Sequence, residues 1–149
     1  MTYTCAVRSH EILFTIGYQG RTLPDFVRSL IDADVEQVID VRELPLSRRR
    51  GFSKTPLRTA LEESGIEYVH IRAAGNPYRH DAPKGLDRCL AMYRAHLERH
   101  PEVTASVLRA AAGKRSALLC AEANADQCHR SVLAASAAKQ ARRFAIQNL

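Results

Sequence analysis

Five side chains capable of acid–base, nucleophilic or anion-binding chemistry lie close together near the end of the chain: Cys120, Glu122, Cys128, His129 and Arg130. The residues before them, 115–119, predict a short buried strand, and the alanine-rich residues 131–139 predict a helix with Asn124 or Asp126 as its N-cap. The five side chains therefore follow a strand and enter the first turn of a helix. Anions and substrates bind at such positions in open α/β sheets.

Cys120 is the candidate nucleophile of this group. Its thiolate would be stabilised by the facing helix N-terminus and by Arg130 or His129 as a cation, whereas the carboxylate of Glu122 opposes thiolate formation. Glu122 is instead a candidate general base, or a partner that holds Arg130 toward a substrate phosphate. The competing interpretation of Cys120 is a buried, inert thiol at the end of a core strand.

The same residues contain the donor atoms of a metal site. However, the spacing of Cys120 and Cys128 differs from the closely spaced cysteine pairs of zinc sites, and adjacent Cys and His residues seldom direct both side chains to one ion. The spacing of Cys120 and Cys128 also differs from the C-x-x-C spacing of thiol oxidoreductases. The sequence therefore predicts no metal, no cofactor and no redox disulfide.

A second candidate group precedes this one in the chain. Asp40 and Arg42 alternate around Val41 at the end of a predicted strand, either as ligand contacts or as a structural ion pair that fixes the following loop. Gly17 and Tyr18 begin a turn after the first predicted strand. This turn lacks the G-x-G-x-x-G and P-loop patterns, so a tight turn that uses the conformational freedom of glycine is favoured over a phosphate site.

Positive charge is concentrated after Arg42. The chain carries a net charge of +6, and its densest basic stretch includes the run 48–50. Arg48, Ser53 and Lys54 are the predicted ligand contacts of this loop. Such a patch favours a phosphate-bearing ligand or nucleic acid, although arginine-rich faces are also common as merely solvated surfaces.

Strand and helix patterns alternate along the chain. Predicted strands lie at 11–16, 37–41, 68–71, 115–119 and 143–146. The helix patterns between them include a capping box that begins at Thr22 and a helix that starts at Thr55 and ends at Gly65. A turn-rich segment, 73–84, interrupts the pattern and is a candidate functional loop. The alternation predicts a three-layer, Rossmann-like α/β fold with a mainly parallel sheet of about five strands and flanking helices.

Composition limits the class of protein. A length of 149 residues with 46% hydrophobic content predicts one domain, 1–149, with a real core. Its 4 cysteines are expected to be reduced, and we expect a cytoplasmic protein because neither a secretion signal nor a membrane span is evident. The oligomeric state is not determined by the sequence.

Several segments together carry a family resemblance. They are Thr15 to Tyr18, Asp40 to Arg42 with Pro45 and the run 48–50, then 52–54, 65–68, 119–122 and 128–131. In this order and spacing they resemble the bacterial domain-of-unknown-function 488 (DUF488) family over nearly the whole chain. That family has no assigned activity, so the resemblance implies no particular reaction and no catalytic residue.

Our leading hypothesis is an anion-binding site at the carboxyl ends of the strands, for a nucleotide, a nucleic-acid phosphate or a phosphorylated metabolite, with enzymatic activity left open. The predicted site is formed by the turn that contains Gly17 and Tyr18, by Asp40 and Arg42, by part of the basic loop 48–54, and by Glu122 with Cys128, His129 and Arg130. One alternative is a non-catalytic nucleic-acid or protein-binding module whose Cys, Glu and Arg residues only clamp the structure. Another is rhodanese-like thiol chemistry at Cys120, which requires an exposed thiol. In an enzyme, Glu122, Arg130 and Arg42 would converge on an open cleft. In a purely structural arrangement, they would form their hydrogen bonds and ion pairs with one another, closed from water.

Overall fold

The computed structural model describes residues 11–149, except for the side chains of 81–83. Its strands are β1 (Glu11–Gly17), β2 (Gln37–Asp40), β3 (Glu67–His70), β4 (Ser116–Cys120) and β5 (Phe144–Asn148). Its α-helices are α1 (Leu23–Asp32), α2 (Lys54–Glu63), α3 (Leu86–Arg99), α4 (Pro101–Ala111) and α5 (His129–Gln140). Short 3₁₀ helices occupy Arg72–Ala74, Arg79–Lys84 and Ala125–Gln127.

The five strands form one sheet in the order β3-β2-β4-β1-β5, and every pairing is parallel. Strands β2 and β4 are buried along their whole length, as expected for the centre of a sheet that is covered on both faces. Helices α1 and α2 cover one face, and α3, α4 and α5 cover the other. The predicted three-layer α/β fold with a parallel sheet is confirmed.

Two apolar clusters fill the spaces between the layers. Phe26 of α1 and Leu57 of α2 pack with Leu119 on one face of the sheet, whereas Tyr93 of α3 and Leu133 of α5 pack with Leu118 on the other. Leu118 and Leu119 point to opposite faces because side chains alternate along a strand. No helix among residues 11–149 combines the length and the apolar character that crossing a membrane requires.

Strand register brings the polar strand ends to one edge. Gly17 of β1 lies beside Cys120 of β4, and Asp40 of β2 lies beside Leu119 on the other side of β4. The loops that follow β1, β2 and β4 therefore leave the sheet next to one another. This edge is the carboxyl edge of the sheet, where the sequence predicted the site.

Two helix starts differ from the prediction, whereas a third is confirmed. The hydroxyl of Thr22 caps α1 as predicted, by accepting a hydrogen bond from the backbone N–H of Asp25 at 3.2 Å. Helix α2 begins earlier than predicted, with Ser53 rather than Thr55 as its N-cap. Lys54 already belongs to the helix because the basic loop turns directly into it.

The start of α5 was also predicted wrongly. Asn124 caps the preceding 3₁₀ helix, where its side chain accepts a hydrogen bond from the N–H of Asp126 at 2.9 Å. Such local bonds to the backbone compete with helix formation. Cys128 becomes the N-cap of α5, without a side-chain capping bond, so His129 and Arg130 are the first two helical residues.

Candidate functional site

Asp40 and Arg42 form a buried ion pair. Arg42 Nε lies 2.9 Å from Asp40 Oδ1, and Arg42 Nη2 lies 2.7 Å from Asp40 Oδ2. Tyr68 donates its hydroxyl proton to the same carboxylate at 2.6 Å, and Arg42 Nη1 donates to the carbonyl of Phe52 at 2.7 Å. The pair therefore fixes the basic loop, as the structural interpretation of these residues predicted.

Ionisation in this pair follows from its contacts. Burial opposes the charge of Arg42, but the hydrogen bonds and attraction of Asp40 raise the pKa of the guanidinium overall. Burial, followed by the bond to Asp40, raises the pKa of Tyr68 above its usual value, so the phenol remains a hydrogen-bond donor. Asp40 and Arg42 thus satisfy each other as a charged pair inside the protein.

Arg130 holds the loop after β4 rather than a substrate. Only 1% of Arg130 is exposed, and its guanidinium donates to the backbone carbonyls of Glu122 and Ala123. Its Nε is the buried side-chain nitrogen that lacks a hydrogen-bond partner within the described part of the chain. The prediction that the carboxylate of Glu122 receives Arg130 is wrong, because the guanidinium contacts the carbonyl of that residue instead.

Gly17 permits this arrangement of the loop. A Cβ atom at position 17 would lie 1.7 Å from the carbonyl oxygen of Glu122 and 3.0 Å from Nη1 of Arg130. Glycine is therefore needed for the close approach of the loop after β4 to the end of β1. The positive φ in this turn belongs to Gly20, at 79°, which agrees with the interpretation of residues 17–20 as a tight turn.

Cys120, Cys128 and His129 form a compact buried group, which we call the Cys–His cluster. Their three potential donor atoms lie within 4.8 Å of one another. Nδ1 of His129 is 3.6 Å from Sγ of Cys120 and 3.7 Å from Sγ of Cys128. The expectation that the adjacent Cys128 and His129 diverge is therefore wrong.

Thiols and a carboxylate meet in this cluster. The Cys120 thiol donates to Oε2 of Glu122 at 3.2 Å, as expected for positions two residues apart at a strand end. Cys89, Cys120 and Cys128 are all free and buried, whereas Cys5 lies outside the described residues. Cys120 is 6% exposed, so its thiol is largely buried, as the competing interpretation of this residue expected.

The cluster also perturbs three ionisations. Burial opposes the charge of Glu122, but hydrogen bonds from Cys128 and Cys120 and the charge of His129 lower its pKa overall. Burial likewise opposes the charge of His129, but its contacts with Cys128, Val41 and Glu122 raise its pKa overall. The hydrogen bond with Cys120, together with burial, raises the pKa of the Cys128 thiol. The cluster therefore combines an anionic carboxylate, a basic imidazole and a protonated thiol.

A cavity of about 180 Å³ opens at the carboxyl edge next to the cluster, and we call it the edge cavity. Five predicted site residues line it: Tyr18, Arg42, Cys120, Glu122 and His129. Cys128 and Arg130 are not among its lining residues, and each is only 1% exposed. The structure thus gathers part of the predicted constellation around one cavity and buries the rest behind it.

Other residues of the edge cavity were not predicted. Glu43, Asn76 and Arg79 line it as well, and Arg79 Nε lies 3.4 Å from Oε2 of Glu43. Asn76 and Arg79 belong to the turn-rich segment 73–84, whose composition was the available signal. Carboxylates and cations both line this cavity, so it lacks the uniform positive charge of a phosphate pocket.

A second surface has arginines as its charged residues and also carries apolar side chains such as Leu23 and Phe52. It is an open groove of about 600 Å³ that we call the basic groove. Arg21, Arg49 and Arg50 contribute its charges, and no Asp or Glu is among the described residues that line it. Arg48 is exposed on the same loop, next to Arg49. Arg21 was not predicted as a site residue. Its position immediately before the N-cap Thr22 was the signal in the sequence that could have placed it beside a helix start.

Ser53 and Lys54 have local roles at the end of the basic loop. Ser53 Oγ donates to the carbonyl of Ser47 at 3.2 Å and accepts from the N–H of Ser47 at 3.0 Å. The backbone N–H of Lys54 donates to the carbonyl of Pro45 at 2.8 Å. These bonds stabilise the conformation of the loop that presents the arginines.

An aromatic pair lies between the two surfaces. Tyr18 lines the edge cavity and Phe52 lines the basic groove, and their rings stack with centroids 4.6 Å apart. Arg42 lies against this pair, 5.4 Å from the centre of the Tyr18 ring, and is bonded to the carbonyl of Phe52. Arg42 thus connects the end of β2 to the wall that the two surfaces share.

The fold and these surfaces define a three-layer α/β protein with a polar cavity at the carboxyl edge of a parallel sheet. The family model described as "Domain of unknown function DUF488" matches residues 22–137, and the chain belongs to this family. The resemblance detected in the sequence is thereby confirmed. No match was found among curated proteins or among solved structures.

Proposed function

We propose that this protein binds nucleic acid through the phosphate backbone, with the basic groove as the contact surface. The observation that supports the proposal is the charge of that groove, which has three arginines and no carboxylate among its described lining residues. Guanidinium groups match the geometry of phosphate oxygens and remain charged at every physiological pH. Backbone phosphates supply most of the affinity in sequence-independent binding.

Two helices begin at the groove, and their partial positive charge is offset in part by the carboxylate of Asp25, which accepts a hydrogen bond from the Thr22 hydroxyl at 2.8 Å. Thr22 and Pro24 at the beginning of α1 line the groove, and so does Pro56 in the first turn of α2. Each of these helices has ten residues, and the N-terminal end of a helix carries a partial positive charge. Arg49 is held in place by donating a hydrogen bond to the carbonyl of Arg21.

The buried arginines favour a binding role for the groove over a catalytic role for the predicted Arg42 and Arg130. Arg42 is bonded to Asp40 and to the carbonyl of Phe52, and the two terminal nitrogens of Arg130 are bonded to backbone carbonyls, as expected of residues that hold the structure together. They hold the loops that border the groove and the edge cavity. The proposal therefore assigns phosphate contact to the exposed arginines of the groove.

Fluorescence anisotropy with labelled single-stranded and double-stranded oligonucleotides tests this proposal between about 50 and 200 mM salt. Replacing Arg49 and Arg50 by Gln should weaken binding and should reduce the slope of log affinity against log salt by about one for each lost phosphate contact. The matched control replaces the exposed residues Arg109 and Arg142 by Gln, which removes the same charge elsewhere. This control should leave the slope close to that of the wild type.

Two results would contradict the proposal. Equal weakening by both pairs of substitutions would show that only the net charge matters. Absence of binding to every oligonucleotide at low salt would exclude nucleic acid. In that case direct titration calorimetry with a mononucleotide and with inorganic phosphate would test for a small phosphate-bearing ligand instead.

A further inference from the structure

We propose that Cys120, Cys128 and His129 bind a thiophilic divalent metal ion of the Zn²⁺ type, with a fourth coordination position that opens toward the edge cavity. The proposal is independent of nucleic-acid binding and concerns a different surface. It depends on the positions of the donor atoms, on the hydrogen bond behind the imidazole, and on the access that the cavity gives to one side of the cluster.

The donor atoms are spaced as a tetrahedral ion requires. With Zn–S bonds of about 2.3 Å and Zn–N bonds of about 2.0 Å, the sulfur and nitrogen ligands of one ion lie about 3.6 Å apart. In the Cys–His cluster, Nδ1 of His129 lies 3.6 Å from the Cys120 sulfur and 3.7 Å from the Cys128 sulfur. Both nitrogen–sulfur distances therefore match those of a tetrahedral ion, and all three donor atoms lie within 4.8 Å of one another.

The imidazole is oriented for coordination through Nδ1. Its other nitrogen, Nε2, lies 2.9 Å from the backbone carbonyl of Val41 and donates a hydrogen bond to it. Metal-binding histidines almost always make this kind of bond with the nitrogen that does not contact the ion, because it fixes the ring and its tautomer. Val41 follows β2 and is fully buried, so this support is rigid.

One side of the cluster faces the edge cavity. Cys120 and His129 line the cavity, whereas Cys128 lies behind them. Glu122 also lines the cavity, with its carboxylate 3.2 Å from the Cys120 sulfur. Three protein ligands with an open fourth position are typical of catalytic zinc sites, whereas structural sites use four protein ligands. Glu122 lies beside that fourth position, where its carboxylate would accept a hydrogen bond from a bound water molecule.

The experiment uses the full chain, purified with a reducing agent and stripped with a chelator, and then titrated with Co²⁺ and Zn²⁺. Co²⁺ should produce the near-ultraviolet absorption of thiolate coordination, and Zn²⁺ should abolish it by displacement. Cys5→Ser is the matched control, since it removes a thiol, keeps both cluster thiols and should bind like the wild type. Cys128→Ser should lose more than about 100-fold in affinity, and Glu122→Gln should lose about 10- to 100-fold.

A measurement on the unaltered chain covers the case in which Cys128→Ser fails to fold. Zn²⁺ should slow the alkylation of Cys120 and Cys128, detected by mass spectrometry of the digested protein, and should leave that of Cys5 unaffected. Absence of the thiolate absorption with Co²⁺ would overturn the proposal. A Cys120–Cys128 disulfide in the purified protein, combined with no metal uptake after reduction, would also overturn it. So would metal binding that survives Cys128→Ser and is lost in Cys5→Ser.

Discussion

Buried polar side chains at the carboxyl edge divide into two kinds according to their contacts. Asp40, Arg42 and Arg130 direct their charged groups at one another or at backbone carbonyls. Cys120, Glu122 and His129 line the edge cavity, as Arg42 also does, but their thiol, carboxylate and imidazole contact one another rather than an opposite permanent charge. A buried charge is tolerated only when it is paired, so the first set stabilises the loops and the second set remains available to a ligand.

We expect the loss of the ion pair between Asp40 and Arg42 to lower the free energy of unfolding strongly. Asp40 is fully buried, and Arg42→Met would leave its carboxylate with the hydroxyl of Tyr68 but without a cation. Removing one partner of a buried pair costs about 3–5 kcal/mol, so urea denaturation should show a loss of this size in the free energy of unfolding. Arg109→Met, at an exposed position of α4, should change it by less than about 0.5 kcal/mol. Equal effects at both positions would contradict the structural role of the pair.

Sequence reasoning anticipated some of these residue contacts and missed others for physical reasons. Asp40 and Arg42 alternate along an extended segment, so their pairing followed from spacing. The partner of Arg130 is a backbone carbonyl, which residue types do not reveal. Cys128 and His129 converge because Cys128 keeps an extended N-cap conformation, with φ of −128° and ψ of 144°, while His129 is already helical. Single-residue conformations of this kind are not encoded in motif spacing.

At the scale of elements, the site depends on how closely the loop after β4 approaches the end of β1. All five strands were predicted because each is a short apolar run flanked by turns or helix patterns. Helix starts were predicted less well, since Asn124 caps a 3₁₀ helix that the sequence pattern did not distinguish from α5. Local hydrogen bonds with the backbone determined those boundaries.

This close approach can be tested with Gly17→Ala. The added Cβ would lie 1.7 Å from the carbonyl oxygen of Glu122, so the loop after β4 must move away from β1. We expect a loss of at least about 1–3 kcal/mol in unfolding free energy, together with faster alkylation of Cys120 as the loop is displaced. Gly65→Ala is the control, because it introduces strain at a φ of 75° with no atom within 4 Å of the new Cβ. It should cost about 1–2 kcal/mol without altering the reactivity of Cys120.

At the scale of the whole molecule, the family match and the folded unit have different limits. The match covers residues 22–137, whereas β1 and β5 lie outside it. Strand β1 nevertheless lies inside the sheet, between β4 and β5, and Leu13, Phe14 and Ile16 are at most 1% exposed. The structural unit therefore extends beyond the matched residues on both sides.

A truncation tests how much β1 contributes. A chain of residues 22–149 would lose four buried core side chains, Leu13, Phe14, Ile16 and Tyr18, each worth up to about 1.5–3 kcal/mol, and it would also lose the strand that pairs with β5. Because whole domains are stable by only about 5–15 kcal/mol, we expect this chain to lack a cooperative urea transition in circular dichroism. A chain of residues 1–142 keeps β1 to β4 and loses only an edge strand that is mostly exposed. It should unfold cooperatively at a lower urea concentration than the full chain. A cooperative transition of residues 22–149 at the same urea concentration as the full chain would contradict the central role of β1.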